Sequence, residues 1–153
     1  MSLVFSDKKL TSNFSVDEYL VGQNGNGKIN KKALIHSNML QELREYLNEP
    51  VYVTSWYRSE EYNKACGGIS TSNHLKGTAT DIYVKDLDFR KFLKIARKWK
   101  AICERYLIVG EIGFYPDEGF IHVGSYITYS KKFYNWRTKN GVQKNGYYNR
   151  LLK

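Results

Sequence analysis

The sequence has few of the residues that mark disulfide-stabilised or membrane proteins. Its two cysteines, Cys66 and Cys103, form neither a disulfide framework nor a CxxC metal knuckle, and we interpret them as buried free thiols. No apolar run approaches the roughly 20 residues of a transmembrane helix. The segment over residues 1–7 is too short for a signal peptide, and an acidic residue, Asp7, already follows its apolar residues. We therefore expect a soluble domain, made in the cytoplasm, that does not enter a membrane.

Acidic residues are missing from the end of the chain. No Asp or Glu follows Glu118, although the chain carries a net charge of +9. The cations in that stretch are Lys131, Lys132, Arg137, Lys139, Lys144, Arg150 and Lys153. Such a surface attracts polyanions, whether nucleic acid, an acidic membrane or an anionic cell wall, but a solvated basic tail explains it equally well.

What the chain does contain is enough apolar sequence for one folded unit. It has 153 residues, 42% of them hydrophobic, with no repeat and no linker. Apolar spacing and capping residues predict helices near 12–19, 31–47 and 87–106 and a short helix opening at Ser59. Strands are predicted near 51–54, 80–84, 111–115 and 120–124. This order predicts a single α+β domain over 1–153, with N-terminal helices packed on a central antiparallel sheet.

Two short stretches allow more than one interpretation. The Gly/Asn-rich loop over 21–30 imitates a phosphate loop and a calcium loop, but both motifs lack essential residues, and we interpret it as a surface turn. The basic segment 131–153 is also aromatic. Aromatic rings among cations can hold a polyanion, or they can simply cover the sheet as a last strand and helix.

Three histidines are the main candidates for chemistry. His36 lies on the polar side of a predicted helix and is interpreted as a surface residue. His74 precedes the strand of Asp81, and His122 alternates with apolar residues on its own strand. If the two strands pair, these three side chains converge at one end of the sheet. Two imidazoles and a carboxylate suit zinc and leave a fourth position open, although this spacing alone is a weak signal.

Several further motifs, taken in order, resemble one family. The motif S-x-H-x-x-G-x-A-x-D spans residues 72–81. The other matching segments are Asn13–Glu18, Thr54–Ser59, Tyr62–Asn63, Gly67–Gly68, Gly113–Pro116 and Gly119–Val123. Together they resemble the zinc D-Ala-D-Ala carboxypeptidases, whose relatives include D-Ala-D-Ala dipeptidases and phage L-alanoyl-D-glutamate endopeptidases. The resemblance runs from about residue 10 to residue 126 and also implies the fold of the Hedgehog signalling domain.

The resemblance implies a role for each motif residue. His74, Asp81 and His122 would bind one zinc ion. Arg58 would lie in the substrate groove as a catalytic and substrate-binding residue, pairing with a peptide carboxylate or polarising the scissile carbonyl. Ser72 would contact substrate or cap its turn. Tyr57 would line the groove, or pack in the core or at the rim, as Tyr115 would.

The sequence departs from the family pattern at the general base. The family usually has an acid three residues before the last histidine, where this chain has Gly119, and many shorter members have Asp two residues after it, where this chain has Gly124. Glu118 is our predicted catalytic acid/base, with Asp117 and Glu111 as alternatives. If none of them reaches the site, a zinc-containing wall-binding domain remains, since the related Hedgehog domain shows that such sites can lose their chemistry.

The expected function is hydrolysis of peptidoglycan stem peptides at the bacterial cell wall. The expected partners are a stem peptide and an anionic cell-wall polymer, and we expect the chain to be a monomer. Nucleic acid is suggested by charge alone and is not favoured.

Overall fold

The computed structural model describes residues 9–22 and 29–153. The helices are α1 (Val16–Tyr19), α2 (Lys31–Leu47), α3 (Glu60–Ala65) and α4 (Phe89–Arg105), with a 3₁₀ turn over Asn73–Lys76. The strands are β1 (Tyr52–Ser55), β2 (Ala79–Tyr83), β3 (Glu111–Tyr115), β4 (Phe120–Gly124), β5 (Tyr134–Lys139) and β6 (Val142–Asn145). The predicted α+β class is confirmed. The prediction for residues 1–7 and most of that for the 21–30 loop lie outside the described residues.

Polar caps place the starts of the helices. Ser15 and Glu18 form a reciprocal capping box on α1. The first helix is therefore shorter than the predicted 12–19, because its cap lies at residue 15. Asn30 caps α2, and Asp88 caps α4. At its other end, α2 stops at Asn48, which has a left-handed backbone with φ of 50°.

All six strands form one sheet in the order β1-β2-β4-β3-β5-β6. Neighbouring strands are antiparallel except β3 and β5, which pair in parallel. The chain leaves β4 and crosses to the far side of β3 over residues 125–133, so the whole connection between the parallel strands β3 and β5 runs over residues 116–133 and includes β4. The predicted antiparallel sheet is thus confirmed for β1, β2, β4 and β3. The strands β5 and β6, which are not among the predicted strands, extend this sheet beyond β3.

Alternation along the strands separates the two faces of the sheet. Ile82, Ile112, Ile121 and Val123 belong to the hydrophobic core together with side chains of α2 and α4. Their immediate neighbours in sequence, including Asp81 and His122, point to the opposite face. The helices α2 and α4 therefore pack on one face of the sheet, and Asp81 and His122 lie on the other.

The C-terminal segment 131–153 is part of the fold. Trp136, Tyr148 and Leu152 are buried, and Asn135 accepts a hydrogen bond from the Tyr148 amide at 2.7 Å. The aromatic residues of this segment thus largely cover the sheet, which is one of the two interpretations that the sequence left open. Among the described residues, no helix combines the length and hydropathy needed to cross a membrane.

Two predictions about burial are wrong. His36 is fully buried, not on the surface: its Nδ1 lies 2.8 Å from Ser125 Oγ and its Nε2 lies 2.9 Å from Thr80 Oγ1. Those two hydroxyls let a polar ring lie on the core side of the sheet, which helical periodicity alone does not reveal. Cys66 is exposed, whereas Cys103 is buried as expected. Cys66 lies at the end of the short helix α3, where little of the chain covers it.

Candidate metal centre

Strand pairing brings the predicted metal ligands together. Asp81 on β2 and His122 on β4 are register partners and lie on the same face. His74 belongs to the 3₁₀ turn just before β2, which Ser72 caps and Gly77 ends with φ of 73°. Each of the three residues offers one ligand atom within 4.8 Å of the others, and all three residues are buried. We call these residues the His–Asp–His cluster.

Hydrogen bonds determine which nitrogen of each imidazole faces the centre of the cluster. His74 Nδ1 lies 2.6 Å from the carbonyl oxygen of Trp56. A carbonyl only accepts, so Nδ1 carries the proton, and the neutral ring presents the lone pair of Nε2. That Nε2 lies 3.3 Å from Asp81 Oδ1.

His122 is held in the same manner from the opposite side. Its Nε2 lies 2.6 Å from the Glu111 carboxylate, and its Nδ1 lies 3.1 Å from Asp81 Oδ1. The proton on Nε2 is donated to Glu111, so Nδ1 is the atom that faces the cluster. Two imidazole nitrogens and a carboxylate oxygen therefore converge, and a cation between them would bind all three. The residues present fit a metal ion of the zinc type.

The charges around the cluster favour the same conclusion. Burial opposes ionisation of Asp81, but His74 and His122 lower the pKa of its carboxyl well below the ordinary value. Burial likewise opposes protonation of His122, but Glu111 and Asp81 raise its pKa to about 9. This strongly cation-favouring site attracts either a proton on Nδ1 or a metal ion, and the two compete for one lone pair.

Arg58 lies directly beside the cluster. Its Nη2 is 3.3 Å from Asp81 Oδ2, its Nε donates to Ser55 Oγ at 3.0 Å, and its Nη1 donates to Asn63 Oδ1 at 3.4 Å. The guanidinium thus holds the second oxygen of the Asp81 carboxylate, whose first oxygen faces the two imidazoles. The backbone amide of Arg58 donates to the His74 carbonyl at 2.9 Å, which ties this segment to the 3₁₀ turn.

The other predicted substrate residues have packing and capping contacts. Ser72 Oγ accepts a hydrogen bond from the His74 amide at 3.3 Å and so caps the turn. Tyr57 stacks on Tyr19, with ring centroids 5.5 Å apart.

The predicted catalytic acid is not beside the cluster. Glu118 is exposed in the turn between β3 and β4, and among the described residues it forms no hydrogen bond or ion pair with a cluster side chain. The neighbouring Asp117 accepts a hydrogen bond from the Asn140 amide at 2.8 Å. The acid that the structure does place beside the cluster is Glu111, the first residue of β3.

Trp136 is a neighbour of the cluster that sequence reasoning treated only as part of an aromatic tail. Its ring centroid lies 5.1 Å from that of His122, and its Nε1 donates to the Tyr115 hydroxyl at 3.1 Å. A Cβ at Gly113 would lie 2.3 Å from the Trp136 ring, so the glycine permits this close packing. Gly113, a glycine inside a strand, was the one feature of the sequence that indicated a close approach of another group at this position.

Comparison with known proteins agrees with the site. A search of individually curated proteins finds no match. A family model described as Peptidase M15 matches residues 12–124, a range that contains the whole His–Asp–His cluster and Arg58. This match covers more than half of the chain, and the chain therefore belongs to the peptidase M15 family of zinc D-Ala-D-Ala carboxypeptidases.

Proposed function

We propose that this protein is a zinc-dependent peptidase that hydrolyses amide bonds in peptidoglycan stem peptides. The observation that carries the proposal is the convergence of His74 Nε2, His122 Nδ1 and an Asp81 oxygen in a buried site. Three protein ligands leave a fourth position for water or substrate, as in catalytic zinc sites. A bound zinc ion would supply Lewis-acid activation of the scissile carbonyl and of the attacking water.

Arg58 is proposed to orient the substrate. A guanidinium has five N–H donors, and the contacts with Ser55, Asn63 and Asp81 use one at each of its three nitrogens. Within residues 9–22 and 29–153 the remaining N–H groups have no partner, and they are proposed to bind a peptide carboxylate or a carbonyl oxygen. Stem peptides of peptidoglycan carry carboxylates, which supports them as the substrate class for a chain of net charge +9.

The proton acceptor in this proposal is Glu118. Its exposed side chain has to approach the cluster when substrate binds, which requires the β3–β4 turn to close over the site. Ser72 and Tyr57, which flank the cluster and Arg58, are proposed to contact the bound peptide at the rim of the site.

One observation favours a second function, a non-catalytic metal-containing domain that binds the cell wall. The acid beside the cluster, Glu111, accepts a hydrogen bond from His122, while Glu118 is exposed in the turn between β3 and β4. A chain in which no acid reaches the attacking water would hydrolyse amides slowly at best.

The two functions are separated by digestion of purified peptidoglycan with zinc-loaded protein, followed by mass spectrometry of the released peptides. His74→Ala, which removes a ligand, and Glu118→Gln, which keeps side-chain size, are the variants to compare with the wild type. Circular dichroism and chelator-treated wild-type protein control for misfolding of the His74 variant.

New stem-peptide fragments that are absent with His74→Ala would support the peptidase, and their masses would identify the bond. We expect Glu118→Gln to lower the rate by about 100-fold or more, as for loss of a general base. Wall sedimentation without fragments, by folded and zinc-loaded protein, would contradict the peptidase and support the binding domain.

A further inference from the structure

Gly124 and Glu111 share one space beside the cluster. They are register partners on β4 and β3. A Cβ built on Gly124 would lie 2.6 Å from both Cγ and Oε2 of Glu111, closer than real carbon contacts occur. Glu111 therefore occupies the volume that any side chain at residue 124 would need.

The same carboxylate oxygen is the partner of His122. Glu111 Oε2 lies 2.6 Å from His122 Nε2 and 3.5 Å from the Asn73 amide nitrogen. Because side chains alternate along a strand, residues 122 and 124 lie on the same face. A carboxylate carried by residue 124 would therefore start next to the position from which Glu111 now binds His122.

We propose that Glu111 is a positioning residue that orients His122 toward the metal, from the space that a side chain at residue 124 would otherwise occupy. The proposal rests on the metal site of the proposed function. Glu111 accepts the proton of Nε2, which leaves Nδ1 as the nitrogen that binds the metal. The charge of the carboxylate also makes the imidazole a stronger ligand.

Burial supports a positioning role over a free acid/base. Glu111 is 2% exposed, and its Oε1 is buried with no hydrogen-bond partner in the described part of the chain. The Glu111 carboxylate binds Nε2 of His122, whereas Nδ1 of the same ring points toward Asp81. The imidazole ring therefore lies between Glu111 and the centre of the cluster. Glycine at 124 fits this arrangement, because any side chain there would compete with Glu111 for the space.

The test compares metal binding by full-length variants. The variants are Glu111→Ala, Glu111→Gln, Gly124→Asp and the double variant Glu111→Ala/Gly124→Asp, with the exposed Glu45→Ala as a matched loss of one acid. Zinc affinity is measured by competition with a chromophoric chelator. The visible absorption of the cobalt(II)-substituted proteins reports the ligand geometry, and circular dichroism with thermal unfolding reports the fold.

We expect Glu111→Ala to weaken zinc binding by about 10- to 100-fold and to alter the cobalt spectrum. Glu111→Gln keeps an oxygen that can accept the hydrogen bond from Nε2. Its zinc affinity should therefore fall less than that of Glu111→Ala, and its cobalt spectrum should match that of the wild type. Gly124→Asp should weaken binding because of the contact with Glu111. The double variant should recover at least about tenfold over the weaker single variant, since adjacent sites that share one space are not additive.

Wild-type zinc affinity and cobalt spectrum in Glu111→Ala would overturn the positioning role. A double variant no better than the weaker single variant would overturn the exchange of places between residues 111 and 124. If Glu111→Ala does not fold, Glu111→Gln decides the first question, with the ligand variant Asp81→Asn as its reference. A zinc affinity between those of the wild type and Asp81→Asn supports positioning, an unchanged affinity overturns it, and a loss equal to that of Asp81→Asn would mark Glu111 as a ligand instead. These readouts do not use peptide cleavage, so they stand even if the proposed hydrolysis is not observed.

Discussion

Each imidazole of the His–Asp–His cluster has a second polar partner on the side away from Asp81. For His74 this partner is a backbone carbonyl, and for His122 it is the carboxylate of Glu111. Each partner accepts the proton of one ring nitrogen and so determines which nitrogen is left to bind a metal. Asp81 is held in the same way, because its second oxygen lies 3.3 Å from the Arg58 guanidinium.

The contacts of Arg58 predict that lysine cannot replace it. Arg58→Lys keeps the positive charge but loses the planar fork that contacts Ser55, Asn63 and Asp81 together. We expect kcat/KM for stem-peptide cleavage to fall by about tenfold or more, with a much smaller change in zinc affinity. Arg90→Lys on the exposed surface of α4 is the control. Equal activity of the two variants would show that only the charge of Arg58 matters.

The burial of His36 predicts a pH dependence of stability. Burial, followed by the nearby His122 and His74, lowers the pKa of His36 from 6.5 to about 3. The unfolded chain thus binds this proton more readily than the folded protein does. The contribution of neutral His36 to the free energy of unfolding is complete above pH 6.5 and is lost progressively as the pH falls toward 3.

His36→Asn removes this titration. We expect the free energy of unfolding of the wild type to fall between pH 7 and pH 5 by about 2 kcal/mol more than that of the variant. Denaturant unfolding with a chelator present measures this difference without the pH dependence of metal binding. Parallel curves for the two proteins would show that His36 does not titrate in this range.

At the scale of secondary-structure elements, the alternation of β4 links the core to the site. Ile121 and Val123 pack in the hydrophobic core, and His122 between them points to the opposite face. Any shift of register by one residue would exchange these faces, so the core that stabilises β4 also holds His122 in place. The C-terminal strands matter in the same way, because β5 pairs with β3 and carries Trp136 against His122.

Two neighbouring tyrosines test whether the C-terminal segment supports the fold. Tyr148 is 1% exposed, and its ring centroid lies 4.8 Å from that of Phe92. Tyr147 is 46% exposed, and the Arg137 guanidinium lies over its ring. Tyr148→Ala should lower the free energy of unfolding by about 3 kcal/mol, and Tyr147→Ala by less than about 1 kcal/mol. Denaturant unfolding of both variants gives the values, and equal losses would contradict a structural role for Tyr148.

At the scale of the whole molecule, charge is distributed unevenly along the chain. The region after residue 118 contains cations and no acid, and most of its lysines are exposed on or beside β5 and β6. From this distribution we propose that the protein also binds an anionic cell-wall polymer, the partner that the sequence led us to expect. Long-range attraction of this kind depends on the charge and weakens as salt screens it.

We therefore expect retention on purified cell walls to fall steeply as the salt concentration rises. A triple variant with Lys131, Lys139 and Lys144 changed to Gln should bind at least about threefold more weakly than the wild type at low salt. Changing the exposed Lys31, Lys64 and Lys85 to Gln alters the net charge equally and is the control. Equal losses in the two triple variants would assign the binding to net charge alone, and a flat salt response would exclude an electrostatic partner.

The sequence alone was sufficient for the parts that depend on local patterns and on motif spacing. Helical periodicity and capping residues predicted α2 and α4 closely, and alternation predicted β3 and β4. The ordered motifs placed the chain in its family and selected His74, Asp81 and His122, which the fold brings together. Each helix, strand and single motif is local, because it depends on residues a few positions apart.

The tertiary structure alone decided what lies beside those residues. Glu111 is 11 positions from His122 in sequence, and only the pairing of β3 with β4 places its carboxylate against the ring. The same pairing makes Gly124 the partner of Glu111, and the crossover to β5 brings Trp136 over Gly113. His36 was misjudged because its two hydroxyl partners come from β2 and from the residue after β4. Contacts between distant segments depend on register and sheet order, and a single sequence does not specify either one by periodicity.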